Sequence, residues 1–281
     1  MLEWLKKRQI EIALTFYFVF RFIFPAISVY GKVDEELVHF GELASYFTTL
    51  ILIITNRSRL SVYKIDLFAL LLILIFRPLD SVVMSSWGMK SITSTERWGG
   101  IAICVLSFLV LIAFIIRRKE FVLDRQLRKN ACSVLLGMVG GIVGVLIISV
   151  PVVIYGKIKQ APMTIEKLSF IDCLLMFAHQ TGYAAVYEEP IFRGFLWGYL
   201  ESKGLKEVRI LLIQAGLFTL GHFYYFPNTL YSFLFIVPVC SLILGVLVEK
   251  TRTISSSIIA HGVINGLKYD VMRILYYAIP L

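Results

Sequence analysis

The chain has 281 residues, of which 58% are hydrophobic, 14% aromatic and only 17% charged, and its mean hydropathy is +0.79, more apolar than a soluble domain of this length. The charged residues gather between apolar runs, each roughly the ~20 residues that carry a helix across a bilayer core, so the chain reads as an integral membrane protein. The net charge of +9 does not imply nucleic acid: Lys and Arg sit at the ends of apolar runs, where they set topology, and not on one face of a soluble fold.

In chain order, apolar segments are expected at 10–30, 39–55, 65–84, 99–116, 131–155, 168–200, 207–224, 229–249 and 254–268. The expected fold is all-α: a polytopic transmembrane helical bundle of about eight to nine spans, one integral membrane domain over residues 1–281, with no evident internal repeat. The first run is long enough to span and no small-residue cleavage site follows it, so no cleavable signal peptide is expected. The sixth run is too long for one perpendicular crossing and must be tilted, kinked or interfacial in part.

Basic loops alternate with poorer ones. Lys6, Lys7 and Arg8 precede the first run; Arg57, Arg59 and Lys64 follow the second; Arg117, Arg118, Lys119, Arg125, Arg128 and Lys129 follow the fourth. Lys203, Lys206 and Arg209 follow the sixth, and Lys250 and Arg252 the eighth, whereas the intervening loops hold only Lys32, then Lys90 and Arg97, then Lys157 and Lys159, then none. The positive-inside rule therefore puts the N-terminus in the cytoplasm, with the plasma membrane as the expected location.

An ionisable side chain at the centre of a spanning helix costs at least about 2.5 kcal/mol, so each one needs an account. Glu11 and Arg21 lie near one end of the first run and are expected to snorkel or to pair with neighbouring helices. His39 and Glu42 are expected at the interface. Arg77 and Asp80, three apart on one helix, are spaced for a local ion pair, and Pro78 between them suggests a kink or break. Cys104, Cys132, Cys173 and Cys240 are isolated in apolar surroundings, without a CxxC pair, and read as small buried hydrophobes.

The stretch Tyr187-Glu188-Glu189-Pro190-Ile191-Phe192-Arg193-Gly194 differs in kind. Adjacent carboxylates in an apolar run repel each other and resist desolvation, and on a helix they point about 100° apart. Arg193, four residues after Glu189, can pair with it on one face, which leaves Glu188 to aim elsewhere. One carboxylate held by an arginine beside one able to take a proton is the asymmetry that general-base chemistry needs; a structural charge cluster is the alternative. His222 falls in the next apolar run, and His261 and Asn265 share a helical face in the last. His179, nine residues before Glu188, lies on the opposite side of its helix and outside the expected site.

Three motifs now stand in order: Glu188-Glu189-x-x-x-Arg193, Phe218-x-x-x-His222 and His261-x-x-x-Asn265. They resemble the EExxxR, FxxxH and HxxxN signatures of the CPBP, or Abi, family of CAAX-type proteases and bacteriocin-processing or immunity proteins, related to the type II CAAX prenyl endopeptidases. The resemblance covers a CPBP-like core at 165–270, and residues 1–160 carry N-terminal spans without a recognised motif. It implies an intramembrane endopeptidase of membrane-associated proteins or peptides, with its active site within the membrane. In that scheme Glu188 is the general base that activates water, and His222 binds and polarises that water. His261 and Asn265 stabilise the oxyanion, and Glu189 and Arg193 support the site. No cofactor is expected; the family has also been described as metalloproteases, in which case Glu188, His222 and His261 would form a zinc site. The topology sets His222 near the outer end of its span and Glu188 and His261 toward the inner half. Two other classes fit less well: a non-catalytic scaffold or bacteriocin-immunity protein of the same fold, and a transporter using the buried charges as a path, which would more often show an inverted repeat.

Overall fold

The computed structural model describes residues 2–30, 35–86, 94–123, 127–160, 170–226 and 229–280. The described residues form a helical bundle with no strand among them, and each of the nine expected apolar segments carries helix. The N-terminal part contains α1 (Leu2–Tyr30), α2 (Glu35–Thr55), α3 (Leu67–Ser86), α4 (Ser94–Ile116) and α5 (Leu127–Ile158). Helix α6 runs over residues 170–202, α7 is Glu207–Leu220, α8 covers residues 230–251 and α9 is Ser255–Ala278.

Trp98–Ile116, Ala131–Ile158 and Ser232–Thr251 are long and apolar enough to cross a membrane by length and composition. Their outward faces carry large exposed apolar side chains such as Phe108, Ile116, Leu135 and Leu234, as expected where lipid replaces water. By contrast α7 has 14 residues, which at 1.5 Å per residue is roughly 21 Å, well short of a ~30 Å core. The expected span at 207–224 is thus corrected: helix stops at Leu220, and His222 lies in the turn beyond it.

The basic loops gather at one end of the bundle and fasten to each other. Arg57 Nε meets Glu120 Oε2 at 2.7 Å, Lys64 Nζ meets Glu201 Oε2 at 2.6 Å, Lys203 Nζ meets Glu11 Oε1 at 3.0 Å and Arg252 Nη2 meets Glu207 Oε1 at 2.5 Å. Here Asp66 ties two helix starts together: its Oδ1 accepts the Ala69 backbone N–H at 2.7 Å, capping α3, and a bond from the Ser255 hydroxyl at the head of α9. Glu11 thus pairs across to a neighbouring element, one of the two expected outcomes. The side chains of His39 and Glu42, and of Lys32, Lys90 and Arg97, lie outside the described residues.

Pro78 does not break α3, which is continuous around it. Arg77 Nη1 bonds Asp80 Oδ2 at 2.7 Å as the spacing predicts, and His179 Nδ1 lies 2.7 Å from Asp80 Oδ1, which occupies that histidine away from the glutamates. The cysteines are all free, but none is fully buried: Cys132 is exposed on α5 and the others are half-buried. Apolar surroundings in the sequence do not separate a core-facing position from one on an outward apolar face.

Candidate active site

Helix α6 carries the glutamates and is not uniform. Phe170–Gln180 is α-helical, Thr181–Ala185 is widened to π geometry, Val186–Glu189 returns to α, and Pro190–Leu196 is π again before Trp197–Ser202. Proline at 190 lacks the N–H an α-helix needs there, and a widened turn is one way to absorb the loss. The Phe192 carbonyl in the second π stretch accepts a bond from Gln214 Nε2 of α7 at 2.5 Å.

Glu188 and Glu189 are both buried and have different partners. Glu189 Oε1 accepts from Arg193 Nη1 at 3.3 Å, the i,i+4 pair expected from spacing, and from His261 Nδ1 at 2.8 Å. Arg193 is fully buried, and its Nη2 also donates to the Ser241 carbonyl at 3.1 Å and hydroxyl at 2.8 Å on α8. The Phe218 ring covers the guanidinium at 4.4 Å and packs on His222 at 4.5 Å between ring centroids. Glu188 is not left free: Arg21 Nη2 of α1 bonds its Oε1 directly.

His222 Nδ1 is 2.8 Å from the Phe218 carbonyl, one of the terminal acceptors that α7 leaves open. A carbonyl only accepts, so Nδ1 carries the proton and Nε2 turns its lone pair inward, 3.7 Å from Glu188 Oε1. His261 is arranged alike, with Nδ1 on Glu189 and Nε2 3.8 Å from Glu188 Oε2. Both gaps exceed a hydrogen bond and suit a small shared partner between the atoms. Asn265 is half-buried one turn further along α9.

Two glycines set α9 against α6. A Cβ on Gly262 would fall 2.1 Å from Thr181 Oγ1, and one on Gly266 would fall 2.8 Å from the Phe177 Cα. His261 and Asn265 each precede one of these contacts, and the close approach of the two backbones carries His261 to the glutamates.

The structure thus brings Glu188, Glu189, Arg193, His222 and His261 together, with Asn265 on the adjoining turn. His222, which the expected topology set apart from Glu188, lies 3.7 Å from it in the turn beyond the short α7. Sequence reasoning passed over Ser241 and Gln214, named Phe218 only as part of a motif, and expected Arg21 to snorkel or pair without tying it to the site. Of its two expected outcomes, Arg21 takes the pairing one, with Glu188 as the partner.

A family model described as Rce1-like, type II CAAX prenyl endopeptidase Rce1-like, matches residues 170–267. That match bears out the resemblance carried by the three motifs and supports, at the level of the family, a CAAX-type intramembrane protease. No curated protein and no solved structure gives a significant match.

Proposed function

With residues 170–267 matching the type II CAAX prenyl endopeptidases, we propose that the chain hydrolyses a peptide bond of a membrane-associated protein or peptide by means of a water activated by Glu188. The observation that carries this reading is the convergence of the His222 and His261 Nε2 atoms on the Glu188 carboxylate at 3.7 and 3.8 Å, each ring being oriented from behind. Water held there by Glu188 and the His222 lone pair attacks the scissile carbonyl carbon. Its oxygen bonds to carbon while its proton passes to Glu188. The oxyanion that forms is met by donors from Asn265 and from His261, which in that role carries a proton on Nε2, with the Glu189 carboxylate balancing the ring's charge. Collapse breaks the C–N bond, and Glu188 returns the proton to the leaving nitrogen.

Zinc held by Glu188, His222 and His261 is the alternative, and we favour the metal-free form on one contact. Arg21 places a guanidinium on the Glu188 oxygen nearest His222, where the carboxylate would have to face a metal cation. Among the described residues no group of three His, Cys, Asp or Glu is spaced for a metal ion. The likeness to prenyl endopeptidases makes a lipidated C-terminal peptide the first substrate to try, and the Lys- and Arg-rich loops at one end are the pattern of a cytoplasmic N-terminus.

The test is cleavage of a prenylated C-terminal peptide by purified full-length protein, with an unprenylated hydrophobic peptide in parallel. Glu188→Gln should lower turnover by about 1,000-fold, within the range expected for loss of a general base. Cleavage should survive a chelator. Undiminished cleavage by Glu188→Gln sinks the mechanism, and loss in chelator restored by zinc sinks its metal-free form.

A further inference from the structure

The three motifs bring two carboxylates and one guanidinium into the apolar interior, and Arg193 stands against Glu189. Burying a carboxylate without a counter-charge is costly, and Glu188, which no guanidinium of the motifs bonds, needs one of its own. That counter-charge comes from α1, where Arg21 bonds Glu188 across 167 positions of sequence. Its stem fits the turn that presents His222: a Cβ on Gly221 would fall 3.2 Å from Arg21 Cγ and 3.3 Å from its Nε. Arg21 lies far outside the matched residues 170–267.

We propose that Arg21 is a positioning residue of the active site, supplied by the first helix. It holds Glu188 Oε1, fixes the carboxylate so that Oε2 faces His261, and balances the charge that Arg193 leaves over. This rests on the reading of Glu188 as the proton acceptor. A guanidinium fixes direction as well as charge, whereas an ammonium supplies charge alone, so lysine is a partial substitute.

The full-length protein and a prenylated peptide test it. Arg21→Gln should lower kcat by about 100-fold, the cost of a misplaced catalytic group, with KM within about threefold of wild type. Arg21→Lys should recover at least about tenfold of that loss. Arg21→Gln at wild-type kcat, or Arg21→Lys no better than Arg21→Gln, overturns the proposal. Should Arg21→Gln unfold, a thermal-unfolding cycle of Arg21→Lys, Glu188→Gln and the double variant decides. Coupled losses support the contact, and additive losses overturn it. If Glu188→Gln cleaves like wild type, the reading of Glu188 fails and Arg21 falls with it. If Glu188→Gln is inactive while Arg21→Gln is not, only Arg21 is overturned.

Discussion

Glu189 Oε1 answers two donors at once, Arg193 at 3.3 Å and His261 at 2.8 Å, in a position closed to the exterior. Replacing it with glutamine leaves the Arg193 guanidinium, buried against Ser241 and the Phe218 ring, without its counter-charge. Glu189→Gln should therefore cost about 3 kcal/mol of stability, and adding Arg193→Met should recover most of it, because removing both charges is cheaper than stranding one. Thermal unfolding in detergent measures both, and an unchanged midpoint in the single variant would contradict the pairing. The Glu189–Arg193 pair was legible because a helix fixes what meets at four residues' spacing. The Arg21–Glu188 pair was not, because no local period relates positions 167 apart.

At the scale of elements, α9 delivers its residues through contact with α6 rather than through any bond of its own. Gly266→Ala places a methyl 2.8 Å from Phe177 Cα and 2.9 Å from its backbone N, atoms that no rotamer change can move away. The substitution should cost about 1–3 kcal/mol by overpacking and lower cleavage by about tenfold or more as His261 and Asn265 shift. Gly156→Ala on α5, where a Cβ meets nothing within 4 Å, should leave cleavage unchanged and stabilise by about 0.5–1 kcal/mol. Equal losses in both variants would show that glycine content, and not this contact, matters. The existence of the helices was readable from hydropathy. The π stretches in α6 and the early end of α7 were not, since hydrophobic period locates a helix better than it counts its turns. The three motifs were readable as a set because each one is local.

For the whole molecule, four ion pairs lace loops of alternating helix ends at one end of the bundle, and these are the loops rich in Lys and Arg. If that end faces the cytoplasm, a single cysteine at Lys119→Cys in a cysteine-free variant resists impermeant thiol reagent in intact cells and reacts in inverted vesicles. Lys159→Cys, across the long apolar α5, should show the opposite pattern, and reversal of the two would invert the topology. The π stretches of α6 also act at this scale. A regular helix presents each neighbour with a stripe that drifts steadily, whereas every inserted residue advances the phase by about 100°. With such corrections on either side of Glu188 and Glu189, one rod addresses several companions in succession. It meets α3 through Gly182 and α9 through Thr181, then α1 through Glu188 and α8 through Arg193, and at last the loop before α3 through Gly194 and Gly198. Helix α6 is in effect an indexed shaft, and the angular interval between the carboxylates and their partners is set by where the indexing falls.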